Sequence, residues 1–129
     1  MLSFLAEVKG ALYRVVFYRK ENGETPVLDY MRALAKEKSK DSRIKHNKIA
    51  RYIKILAEKG KQAGEPFMKH LDGEIWELRP LRDRILFAGT VDGCFVLLHS
   101  FMKQTQKTPP REIEQAKREL ADYLERNEE

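Results

Sequence analysis

His99, Phe101 and Lys103 alternate at the end of an apolar run, and Lys107 follows just before Thr108-Pro109. On a strand, residues two apart project from one face. The spacing therefore sets an imidazole, an aromatic ring and an ammonium beside one another. An imidazole with an ordinary pKa of about 6.5 gives or takes a proton near neutrality. The segment from Leu97 to Pro109 contains no acidic residue, so it suits a phosphate or a nucleobase. Upstream, Arg79, Arg82 and Arg84 can each grip a phosphate through a planar fork. Plainer readings exist. The segment can be a last strand with a solvated loop, with His99 and Phe101 in the core. Arg79 and Arg84 can pair with Glu77 or Asp83 as surface ion pairs, worth about 0–1 kcal/mol.

Those side chains need a scaffold. Tyr13 to Lys20 is aromatic and β-branched and reads as a strand. Thr25-Pro26 opens a helix, with Val27, Tyr30, Met31 and Leu34 as its apolar stripe. Asp41 caps a second helix that ends near Lys59 at Gly60; Ile44, Ile49, Tyr52, Ile53, Leu56 and Ala57 share one side. Three strands follow, at Ile75 to Leu81, Arg84 to Val91 and Phe95 to Lys103. Asp92-Gly93 between apolar runs is a hairpin signal. In the second strand, Arg84 falls opposite in phase to Ile85 and Phe87, on a polar face. In the third, Phe95, Leu97, His99, Phe101 and Lys103 share a face opposite Val96, Leu98 and Met102. A last helix starts at Thr108-Pro109-Pro110 and runs to about Arg126, with Ile113, Ala116, Leu120, Tyr123 and Leu124 as its stripe. The order β-α-α-β-β-β-α predicts an α+β domain, a mostly antiparallel sheet with helices packed on it.

Composition narrows the partners. A chain of 129 residues reads as one domain, 1–129. The single cysteine, Cys94, excludes an intramolecular disulfide and argues against a cysteine-based metal site. No zinc-ligand spacing or Gly-rich phosphate loop is visible, so no metal and no cofactor is expected. No apolar run approaches the length of a membrane span, and the first residues do not read as a signal peptide. A cytoplasmic location is expected. The net charge is +5, unevenly spread. Lys36 to Lys61 carries ten cations against three anions, and Glu112 to Glu129 carries seven anions against three cations. A basic middle fits a polyanion or an acidic partner; a solvated helix face is the plainer reading.

One combined motif is specific. Lys69-x-Leu71-x-Gly73-x-Ile75-Trp76-Glu77-Leu78-Arg79, then Arg84-Ile85, then Phe101-x-Lys103-x-Thr105-x-Lys107-Thr108-Pro109 resembles the phage-derived HigB-like toxins of the RelE/ParE superfamily. Two positions depart from that pattern: Phe87, where many relatives have tyrosine, and Gln104, where many have a second lysine. The resemblance implies a RelE-like fold and the toxin of a type II toxin–antitoxin pair. It implies cleavage of messenger RNA, often on the ribosome, and silencing by a helix-turn-helix antitoxin of the HigA type. Relatives that poison gyrase share the fold, so fold alone does not settle the target. A relic that only binds its antitoxin is a third reading.

Metal-free RNA cleavage asks for a base at the 2′-hydroxyl, cations beside the phosphorane and an acid at the leaving 5′-oxygen. Arg84, His99 and Lys103 are the candidate catalytic set, with His99 as the best single acid or base. Arg79, Arg82, Lys107 and Phe101 are the candidate RNA contacts, Phe101 as a stacking platform.

Overall fold

A computed structural model describes residues 12–90 and 93–127. The element order is β1 (Arg14–Phe17), α1 (Pro26–Lys36), α2 (Lys40–Lys59), a 3-10 turn (Gly60–Ala63), β2 (Met68–Asp72), β3 (Ile75–Leu78), β4 (Asp83–Gly89), β5 (Cys94–Met102) and α3 (Pro110–Arg126). The predicted α+β class holds, with one strand more than expected. Met68–Asp72 pairs antiparallel with β3; with only Met68 buried and Leu71 half-buried, this edge strand lacks an apolar signature. The sheet order is β1-β5-β4-β3-β2. β1 runs parallel to β5, and the other pairs are antiparallel. The β4–β5 hairpin signal lies partly outside the described residues, since Asp92 is not among them. No helix among the described residues is long and apolar enough to cross a membrane.

Local chemistry sets the helix starts. Pro26 stands at the first position of α1, where its missing N–H costs nothing. Thr25 precedes it but makes no side-chain cap; its N–H and hydroxyl both donate to the Asp29 carboxylate, at 3.0 and 2.9 Å. The cap of α2 is Ser39, not Asp41: its hydroxyl accepts the Ser42 N–H at 3.1 Å. Pro109 takes the cap position of α3, which frees the Thr108 hydroxyl for another partner.

The sheet is buried on both faces. On one, α1 and α2 cover Val15, Phe17, Leu78, Ile85, Phe87, Phe95 and Leu97 through Val27, Met31, Leu34, Ile49, Ile53 and Leu56. On the other, α3 covers Val16, Ile75, Leu86, Ala88, Val96 and Leu98 through Ala116 and Tyr123. Each large apolar side chain so buried contributes roughly 1.5–3 kcal/mol. Ile44, expected in the α2 stripe, is exposed.

The strict alternation predicted along β5 fails at one place. Phe87 pairs with Leu97 but Leu86 pairs with His99, so Leu98 is an extra residue in the ladder. A bulge of this kind shifts the phase of the residues beyond it. Phe95 and Leu97 face α1 and α2, whereas Phe101 faces α3 and His99 bonds to α3. Without the extra residue, His99 and Phe101 would point into the opposite core.

Candidate functional site

Arg84 projects from β4 on the α3 face, opposite Phe101 in register. Nη1 donates to the carbonyls of Leu81 and Asp83, each at 2.8 Å. Nε lies 3.9 Å from Glu77 Oε2. The Leu81 carbonyl is presented by a tight turn, closed by the Asp83 N–H to the Pro80 carbonyl at 3.1 Å. In that turn Leu81 has φ 57°, a conformation that costs an L-residue about 1–2 kcal/mol; strain of this kind clusters at functional sites. Arg84 is 7% exposed, which corrects the expectation of a side chain on a wet polar face. Burial pushes its pKa down, and the nearby Glu77 carboxylate opposes that shift.

Beside Arg84 opens a cavity of about 250 Å³, lined by Glu77, Arg84, Phe101, the 102–109 segment, Arg111 and Glu112. Four predicted residues therefore meet there: Arg84, Phe101, Lys103 and Lys107. Phe101 is half-buried, packed on the α3 core and lining the cavity at once. Arg79 and Arg82 do not line it. Arg79 lies 3.4 Å from Glu77 and 4.0 Å from Glu65. Arg82 ties down the loop: its Nη2 donates to the Lys103 carbonyl at 3.1 Å, and the Lys103 N–H returns to the Arg82 carbonyl at 2.8 Å.

His99 stands behind the wall. It is 5% exposed and does not line the cavity. Nδ1 is 2.6 Å from Glu119 Oε1, and Nε2 is 2.9 Å from Glu112 Oε1. Ionised carboxylates only accept hydrogen bonds, so the pair of contacts calls for an imidazolium donating from both nitrogens. Burial pushes the His99 pKa down, but the hydrogen bonds and charges of Glu119 and then Glu112 outweigh it and leave the pKa raised.

Three carboxylates shape this site; the sequence reading had Glu77 only as a surface ion-pair partner of Arg79 and Arg84, and it missed Glu112 and Glu119. Glu77 is 3% exposed; its Oε1 accepts the Thr108 hydroxyl, and its Oε2 faces Arg79 and Arg84. Glu119 is 6% exposed, fixed by His99 and by the Gln115 amide at 3.1 Å. Glu112 is the third. A signal was present: Glu112, Ala116, Glu119 and Tyr123 recur at helical spacing along one face. Assigning the stripe by apolarity alone rotated it, so Leu124, expected inside, is 41% exposed.

The basic face of α2 is separate in character. Arg43, Arg51 and Lys54 are exposed, whereas Lys45 turns inward, 5.7 Å from the Tyr30 ring centroid and 3.9 Å from the buried Asp83 carboxylate.

No curated protein is similar enough to this chain to be matched with it. The family described as phage derived protein Gp49-like (DUF891) matches residues 29–121, a span that runs from α1 through the whole cavity into α3. That family is associated with RelE/HigB-like toxins. Over most of its length, then, and including every residue that lines the cavity, this chain belongs to the Gp49-like phage-derived family.

Proposed function

We propose that this chain is a HigB-like toxin of a type II toxin–antitoxin pair, a cytoplasmic endoribonuclease that cleaves messenger RNA on the ribosome without a metal. The observation that supports this reading is the meeting of Arg84, Lys103, Lys107 and Phe101 around one cavity. The scissile phosphate sits against Arg84 and the two ammoniums, and Phe101 stacks on the adjoining base. The pentavalent phosphorane carries more negative charge than the substrate, so cations fixed in advance stabilise the transition state selectively. The carbonyls of Leu81 and Asp83 hold Arg84 in place before RNA arrives. A helix-turn-helix antitoxin of the HigA type silences the toxin by covering the cavity, and an acidic segment lowers the cost of crowded cations.

Single-turnover cleavage of messenger RNA on programmed ribosomes tests this, with circular dichroism to confirm folding. Lys103→Ala and Arg84→Lys should each slow cleavage, Arg84→Lys because an ammonium lacks the planar set of donors that holds the Leu81 and Asp83 carbonyls and still faces a phosphate. Loss of one charge-stabilising donor is expected to cost about 10²–10³-fold. Folded variants that cut at the wild-type rate would place the chemistry elsewhere. A wild-type protein that cuts nothing yet stalls replication would replace this reading with gyrase inhibition.

A further inference from the structure

We infer that Glu112 is the group that takes the 2′-hydroxyl proton of the RNA, with His99 and Glu119 as the buried positioning pair behind it. This inference rests on the nuclease reading above and assigns the acid–base role within the same site.

Among the described residues, two carboxylates line the cavity, Glu77 and Glu112. Glu77 is buried and fully engaged: Thr108 holds one oxygen, and Arg79 and Arg84 face the other. Its charge serves to fix the arginines. Glu112 differs, because its side chain is 17% exposed. One oxygen accepts from His99; the other faces Arg111 at 3.8 Å, and Arg111 is 81% exposed. A general base must reach the proton it removes, and Glu112 Oε2 meets that condition where the buried imidazole does not. His99 has both nitrogens occupied.

The two-carboxylate arrangement explains why the ring is buried at all. An ionised side chain in the core needs a partner. When Glu112 takes the proton it becomes neutral. The imidazolium is then still balanced by Glu119 at 2.6 Å. The buried charge stays paired through the step, and the His99 ring holds Glu112 in one orientation before and after it. The step balances. The 2′-oxygen loses its proton to Glu112 and attacks phosphorus. The bond to the 5′-oxygen breaks, and that oxygen receives a proton from the ammonium of Lys103 or Lys107. The products are a 2′,3′-cyclic phosphate and a free 5′-hydroxyl. Water then returns the proton from Glu112 to the lysine.

Among the described residues, the ionisable groups around His99 and the cavity are Arg111, Glu112 and Glu119 from α3, Glu77 from β3, Arg84 from β4, and Lys103 and Lys107 from the segment before α3. Of these, Glu112 and Glu119 bond to His99, so an alkaline limb of the pH–rate profile is expected from His99. The rate falls as His99 loses its second proton and its grip on one carboxylate.

The test is single-turnover cleavage and separate RNA binding across a pH series. Glu112→Gln keeps the shape and one acceptor for His99. It should lower the cleavage rate about 10²–10⁴-fold, while RNA binding holds or tightens because a negative charge has gone. Glu112→Asp should recover part of the rate. His99→Gln should lower the rate constant while leaving binding in place, and should remove the alkaline limb. If wild type cleaves and Glu112→Gln cleaves as fast, the role of Glu112 is overturned while the nuclease reading stands. If Glu112→Gln loses binding in parallel with cleavage, Glu112 is a structural strut and the inference is again overturned. If wild type cleaves no RNA at any pH, it is the nuclease reading that fails.

Discussion

The two faces of the sheet solve the same burial problem with different chemistry. Under α1 and α2 the core is built of Val15, Phe17, Met68, Ile85, Phe87 and their neighbours, with aromatic contacts such as Phe87–Phe95 at 5.7 Å. Under α3 the apolar cluster covers only part of the face. The rest is a network in which Glu77, Arg84, His99 and Glu119 are all nearly buried. An apolar face is worth most when packed without voids. A buried ionic network adds little stability against apolar residues of the same volume. Its presence under α3 marks the face that holds the cavity. The stability of the molecule is therefore expected to depend more on the first face, and its chemistry on the second.

The largest effect that sharpens this contrast is Phe87→Ala. Phe87 is fully buried, and losing such a ring costs about 3–5 kcal/mol. Urea denaturation should register that loss. The folded fraction should cleave RNA at close to the wild-type rate, because Phe87 faces α1 and α2 and not the cavity. Next comes Glu119→Gln, on the other face. It leaves the imidazole with one carboxylate and is expected to cost about 1–3 kcal/mol, with a change in the pH–rate profile that Phe87→Ala does not produce. Equal pH profiles for the two variants would remove the distinction between the faces.

The pH dependence of stability divides the faces further. His99 has a folded pKa above its unfolded value of about 6.5. The native state then binds more protons than the unfolded state between those two values, so stability falls as pH rises through that window. The contribution is fully present below about pH 6.5 and is lost as pH rises through the folded pKa. Denaturation midpoints measured in pH steps should show this decline in wild type and a shallower one in Glu119→Gln. A wild-type midpoint that climbs over the same range would contradict the paired imidazolium.

The first face was the more legible one in the sequence. Val27, Met31 and Leu34, then Ile49, Ile53 and Leu56, repeat at helical spacing, and Ile85 and Phe87 alternate as a strand requires. Apolar periodicity reads a core directly. The second face was legible only in its cations. Arg84, Lys103 and Lys107 were expected near a phosphate, and they share the cavity with Phe101. The carboxylates were hidden because Glu112 and Glu119 sit in a helix rich in exposed acids, and polarity alone does not tell a buried glutamate from a wet one. His99 was placed on the correct strand, but the extra residue at Leu98 and the partners on α3 are tertiary facts. No local pattern encodes a contact between a strand and a helix that lies beyond the next loop. Asp41 was expected to cap α2 where Ser39 does, for a simpler reason, since both residue types cap well.

That cap supplies the smallest and most selective test. Ser39 accepts the Ser42 N–H at the start of α2, on the apolar side of the sheet, outside the cavity lining. Ser39→Ala removes the acceptor and should cost about 1 kcal/mol. The loss belongs to an exposed helix end, so it should lower the denaturation midpoint without changing the denaturant slope. RNA cleavage and its pH profile should stay at wild-type values, because the groups that hold Arg84 and His99 come from the Leu81 turn, β3, β4 and α3. Lys45 is the route by which the prediction could fail. It joins α2 to the buried Asp83 carboxylate, and the backbone carbonyl of Asp83 also holds Arg84. If fraying the first turn of α2 shifts Lys45 enough to disturb Asp83, Ser39→Ala would slow cleavage as well. Lys45→Met would then reproduce the slowing without touching the cap, and the two faces would be coupled through Asp83.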